Sequence, residues 1–309
     1  MQAFLAALTL QAGYNTALVT LGAALLGAAA GGIGCFVLLR KRALVSDAIS
    51  HATLPGLALA FLVMTGLGGE GRWLPGLMIG AGLSAALGLW AVDALVRHTR
   101  LPEDAAIGAV LSSFFGFGVV LMTLVQGMGV GQQAGLSDYL LGATAGMLRA
   151  EAEIIAIAAL LTALAIFLLR RVFTLVAFDP EYAAVRGINI RAADMALMGL
   201  LLAVVVIGLK VAGLVLVVAL TIIPPVTARF WTDRPAHMAL LSAAFGAVAA
   251  WTGAVLSALG PALPTGALIV LVAAALFTLS LLFAPGRGAV ARAVAQARMR
   301  RDLRAGGMR

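Results

Sequence analysis

The segment SDAISHATLPG, residues 46–56, carries a carboxylate and an imidazole four positions apart, Asp47 and His51. On a helix this spacing puts both side chains on one face with Cβ atoms about 6 Å apart. Such a pair can ligate one divalent ion, relay a proton, or simply form an ion pair. Residue types alone leave these readings open. Counted as helix from Arg42, nine residues rise about 13 Å, which places His51 near the middle of a membrane. Pro55 follows and has no N–H, so the carbonyl of His51 loses its i+4 donor; Gly56 loosens the backbone further. Backbone freed at membrane depth is tolerated only where protein or a water-lined cavity covers it. In LVVALTIIPPVTARF, Pro224 and Pro225 do the same to the carbonyls of Leu220 and Thr221. Interrupted spans in both halves of a chain point to a transport path, and a packing kink leaves the same signature. Ser46 and Ser50 lie beside the pair, but a hydrolase is excluded. All four side chains occupy about one and a half turns of one helix, with no oxyanion-hole partner.

The elements that must hold these residues follow from composition. Of 309 residues, 62% are hydrophobic and 11% charged, with a mean hydropathy of +1.07. A soluble domain is about half apolar and a quarter charged. The contrast excludes a water-soluble enzyme, a disordered chain and a nucleic-acid module, and the single Cys35 excludes a disulfide framework. The expected class is all-α and polytopic, with about nine spans of roughly 20 apolar residues each. They fall near 14–39, 47–66, 73–96, 105–126, 151–169, 192–209, 211–229, 237–258 and 264–284. Residues 137–148 are too short to cross and suit an interfacial or re-entrant piece. Abundant small residues, 36 Gly among them, favour close helix packing.

With the N-terminus outside and nine spans, 18 of the 21 basic residues fall on the inner side and only Arg72, Arg149 and Lys210 on the outer. This bias expects a cytoplasmic C-terminus and a cell-membrane, multi-pass protein. No cleavable secretory signal is expected, because the first apolar run continues into a full span. The organisation is a membrane domain over 1–284 and a solvated basic tail over 285–309. No G-x-x-x-x-G-K-[ST] occurs, so any ATPase would be a separate polypeptide. One inner segment, 177–194, has its own helix signals. Asp179 can cap, Pro180 suits the first position, Glu181 sits in the first turn, and Gly187 can end the helix left-handed. It is either an interfacial connector or a docking helix for a cytoplasmic partner.

At these motifs the chain resembles the ABC-3 family of permeases, which import manganese, zinc or iron with a separate ATPase and a metal-binding protein. The resemblance is carried in order by residues 31–61, LPEDAAIGAVLSSFFGFGVVL (101–121), LSDYLLGATAGMLRAE (136–151), FDPEYAAVRGI (178–188) and 214–230. It covers about 14–284, with Leu141 and Glu151 as mild departures. The resemblance implies the fold of the vitamin B12 and siderophore importers, a homodimer or close heterodimer in membrane lipid, and no enzymatic activity in this subunit. It implies no permanent cofactor. Asp47 and His51 become metal ligands; Pro55, Gly56, Pro224 and Pro225 are, from the residues themselves, the candidates for a gate of broken helix. Asp179, Pro180, Glu181, Tyr182, Ala183, Ala184, Val185, Arg186, Gly187 and Ile188 become the ATPase-docking segment. The form SDAISHATLPG after VLLRKR is closer to manganese-type members, with Zn(II) or Fe(II) as alternatives. The rival from another class is an ion-coupled secondary carrier using the same pair.

Overall fold

A computed structural model describes residues 6–11, 13–69, 71, 73–127, 147–260, 263–285, 287–293 and 296. Residues 137–146 of the expected interfacial piece and most of the basic tail lie outside the described residues. Ten helices carry the fold: α1 (Tyr14–Leu39), α2 (Val45–Gly66), α3 (Leu74–His98), α4 (Glu103–Gly127), α5 (Arg149–Phe178), α6 (Pro180–Val185), α7 (Ile190–Leu209), α8 (Ala212–Arg229), α9 (Pro235–Ser257) and α10 (Thr265–Phe283). All except the six-residue α6 are long and apolar enough to cross a membrane, so the described residues hold nine candidate spans. No strand occurs among them.

Helix ends follow caps and prolines rather than the edges of apolar runs. Asn189 accepts from the Ala192 N–H at 3.0 Å and starts α7 two residues before the expected span. Proline stands in the first turn of α3, α6 and α9, where its missing N–H costs nothing. The largest departure is α5, which continues past the expected end at residue 169 through Arg170–Arg171 to Phe178. The arginines end the apolar count but not the helix, because Phe173 and Val176 beyond them are still buried. At the head of α8 the chain reverses at Gly213, whose φ of 74° and ψ of 168° break the helical run. A Cβ on Gly208 would lie 2.8 Å from the Val217 side chain, a contact that nine residues of straight helix forbid.

Helix α1 is the central post, with α9, α7–α8 and α5 packed around it; α2 packs on α3 and α4. Small residues set this spacing. Gly27 of α1 and Gly246 of α9 meet backbone to backbone, and Ser242 donates to the Gly31 carbonyl at 2.6 Å. In lipid, where apolar burial does not drive helices together, such close approach is the main source of packing energy. Gly27→Leu would drive a side chain into the Gly246 carbonyl and should cost about 1–3 kcal/mol or more. A lowered melting temperature in detergent checks this. Gly82→Leu on α3, where the added side chain meets open space, should stay within about 0.5 kcal/mol. Equal effects of the two substitutions would contradict the packing.

Candidate metal site

The turn between α1 and α2 fixes where the pair stands. Lys41 is left-handed, with φ of 60°, and the Lys41 and Arg42 N–H groups donate to the Leu38 and Val37 carbonyls at 2.9 and 3.0 Å. This double bond closes α1 and reverses the chain. Helix α2 therefore starts at Val45, not at Arg42. His51 lies six residues, about 9 Å, into a helix about 33 Å long. It sits in the first third of α2, nearer the Arg40–Arg42 end than the sequence count placed it. The reason is that residues 40–44 form a turn instead of helix.

Asp47 Oδ1 and His51 Nε2 are 3.4 Å apart, with side-chain exposures of 34% and 20%. Asp47 also lies in the first turn of α2, where the helix dipole favours a negative charge. The other polar groups of this turn satisfy themselves. Ser46 Oγ donates to the Ala43 carbonyl at 2.7 Å, and Ser50 Oγ to the Ser46 carbonyl at 2.8 Å. They leave the pair without a buried competitor. The Phe115 ring of α4 meets the His51 ring edge to face at 4.9 Å, which fixes its plane. His51 Nδ1 is buried and has no partner. One face of the imidazole is thus held and one nitrogen is turned to Asp47.

No group of three or more His, Cys, Asp or Glu side chains comes together among the described residues. The pair is half of a coordination shell at most. Phe115, which touches His51, is itself exposed on α4.

Helices α2 and α8 run continuously through their prolines. Pro55 and Gly56 are buried, with Gly56 against the Gly80 carbonyl of α3 and Pro55 Cδ 3.1 Å from where a Cβ on Gly118 of α4 would stand. Pro225 removes the donor for the Thr221 carbonyl, and that carbonyl lies against Gly34 of α1, where a side chain would clash. Pro224 and Pro225 are buried at the same place.

Residues 179–188 take up the predicted capped helix. Asp179 Oδ1 accepts from the Tyr182 N–H at 2.9 Å, and Gly187 is left-handed with φ of 77°. The Gly187 and Ile188 N–H groups close α6 on the Ala184 and Ala183 carbonyls at 2.9 and 3.0 Å. Only Ala183 is buried, against Val176 and Ala193, and Ile188 packs beside it. Glu181, Tyr182, Ala184, Val185 and Arg186 are exposed, Val185 at 84%.

One network escaped the sequence reading. Arg40 donates to Asp194 Oδ2 at 2.6 Å and to the Val176 carbonyl at 2.8 Å, and Arg42 Nε donates toward Glu103 Oε1 at 2.9 Å. These bonds tie the ends of α1 and α5 to the starts of α4 and α7. Partners 154 residues apart share no spacing signal; the only hint is an acidic residue at a span end matched by a basic turn. Arg40→Met should cost about 1–3 kcal/mol, because it leaves Asp194 and the Val176 carbonyl half-buried without their donor. Chemical denaturation of the purified chain checks it, with no change as the contrary result.

The described residues thus form a bundle of nine membrane-length helices, one of which carries the Asp47–His51 pair. The sequence profile described as the ABC 3 transport family matches residues 14–284. The chain belongs to this family. Among ABC 3 relatives, it is 41% identical to the manganese transport system membrane protein MntC of Bacillus subtilis (strain 168), over 93% of this chain. It spans 65% of the length of that relative. It is 36% identical to the zinc transport system membrane protein TroC of Treponema pallidum (strain Nichols), over 89% of this chain and 91% of the relative. In structure it is similar to PsaBC from Streptococcus pneumoniae in complex with Fab, with a TM-score of 0.78 and 29% identity over 93% of this chain and 98% of that one. An inward-facing metal-chelate type ABC transporter, at 17% identity and a TM-score of 0.61 over 86% and 85% of the two chains, shares the fold. The expected all-α, polytopic fold is what the structure has.

Proposed function

We propose that this chain is the membrane permease subunit of an ATP-driven importer for a divalent transition metal, with Mn(II) as the favoured ion and Zn(II) or Fe(II) as alternatives. The observation that carries the reading is the Asp47–His51 pair, half-exposed on α2, in a chain whose relatives are named for manganese and zinc transport. Carboxylate plus imidazole suits Mn(II) and Fe(II), and Zn(II) accepts it too. A two-fold pair of chains would supply four side-chain ligands, with water completing a six-fold shell. The shell stays weak by design, because an ion that is carried must be released. Carbonyls freed by Pro55, Pro224 and Pro225 would let α2 and α8 adjust as the ion passes, with Gly56 holding α2 on α3.

Residues 179–188 would seat the ATPase that hydrolyses ATP for this non-enzymatic subunit, and a metal-binding protein would deliver the ion on the opposite side. The basic residues set the orientation, with the Arg40–Arg42 end and the C-terminus cytoplasmic. The permease domain is 1–284, and 285–309 is a basic tail. A deletion strain should fail to grow under limitation of one metal and recover with this chain. Rescue under manganese limitation alone supports the favoured ion; rescue under zinc or iron limitation alone reassigns it, and no metal-dependent phenotype sinks the proposal.

A further inference from the structure

Away from α2 and α4, helices α1, α5 and α9 enclose a lipid-level groove of about 810 Å³. Its walls are almost wholly apolar and largely small, with Ala28, Gly32, Ala163 and Ala243 leaving the space between larger ridges such as Leu160 and Phe167. Along α5 the lining runs from Ala156 to Arg170, fourteen residues or about 21 Å. That length exceeds the roughly 15 Å depth of one hydrocarbon leaflet.

The groove ends at charge. Arg170 lies at its mouth, held with Cζ 4.7 Å over the Phe167 ring. A second cavity of about 780 Å³ shares Arg170 and Ala236 with the first and adds Arg171, Thr174 and Arg234. None of the three arginines forms an ion pair with a described residue. Asp233, which lines the same cavity, is engaged by Arg287. From Arg149 to Arg170, α5 rises about 31 Å, one hydrocarbon thickness, so the arginines stand at the level of headgroups. Three unneutralised guanidinium groups over an apolar slot at that level match one molecule class: a fixed anion carrying an acyl chain.

We propose that this groove is a binding site for an anionic phospholipid, with its phosphate on Arg170, Arg171 and Arg234 and one acyl chain along α1, α5 and α9. The site shares no residue with the Asp47–His51 pair, so it stands or falls independently of the transported ion. An uncharged lipid would leave the arginines unanswered, and free phosphate would leave the groove empty.

The test is native mass spectrometry of the purified full chain released from vesicles of phosphatidylglycerol and phosphatidylethanolamine. Wild type should retain phosphatidylglycerol in preference, and the triple variant R170Q/R171Q/R234Q should lose that preference by at least about tenfold. Ala163→Phe, which fills the groove and leaves the arginines, should reduce retention of the same lipid. Inorganic phosphate at millimolar concentration should not displace it. Equal retention of both lipids by wild type overturns the proposal. So does an unchanged preference in the triple variant, displacement by phosphate alone, or a crosslink from Ala163→Cys to a protein segment rather than to lipid.

Discussion

Asp47→Asn and His51→Leu are each expected to lower metal uptake by at least about tenfold while leaving the chain folded and able to bind its ATPase. Asp47→Asn keeps the size of the side chain and removes the charge that offsets a dication where water is scarce. His51→Leu keeps the bulk against Phe115 and removes the nitrogen. Tenfold corresponds to only about 1.4 kcal/mol, a modest demand on a ligand. Neither change should reduce stability much, because both side chains keep partial exposure and the neighbouring Ser46 and Ser50 are bonded within their own turn. Radiotracer uptake with a melting curve for each variant checks both halves of the expectation. Normal uptake by a stable double variant shows that the pair is structural.

The second large effect is expected at the other end of the account. Gly187→Val should uncouple ATP hydrolysis from uptake, with at least a fivefold loss of transport per ATP. At φ of 77° a β-branched residue costs roughly 1 kcal/mol or more, and no neighbour crowds the position, so the cost is conformational rather than a clash. The bond pair that closes α6 on Ala183 and Ala184 would be weakened, and with it the presentation of Tyr182 and Val185. Val185→Glu provides the complementary arm. It alters only an exposed side chain, so the chain keeps its stability and loses ATPase binding. If both variants assemble and transport normally, α6 is a connector and docking lies elsewhere.

The order of spans, the capped helix at 179–188 and the facing of Asp47 and His51 were legible because each depends on local rules. Apolar run length sets a span, Asp-Pro sets a helix start, glycine sets its left-handed end, and spacing of four sets a face. What was not legible depends on contacts far apart in sequence. The depth of His51 was overestimated because a left-handed Lys41, which no glycine announces, turns the chain before α2 begins. The end of α5 was missed because Arg170 and Arg171 stop an apolar count while the helix beyond them packs on α6 and α7. Arg40 served as a topology signal, whereas in the fold it fastens α1 to Asp194 and Val176. The groove of α1, α5 and α9 is invisible in sequence for the same reason. Its alanines belong to three separate spans and become a slot only when those spans are side by side.

The most direct measurement is uptake of Mn(II) into proteoliposomes holding the purified chain, its ATPase and its binding protein. Saturable accumulation that requires ATP and the ATPase, and that falls at least about tenfold in the Asp47→Asn, His51→Leu double variant, is the predicted result. Accumulation driven by a proton or sodium gradient with no ATPase present, or wild-type uptake by that double variant, would contradict it.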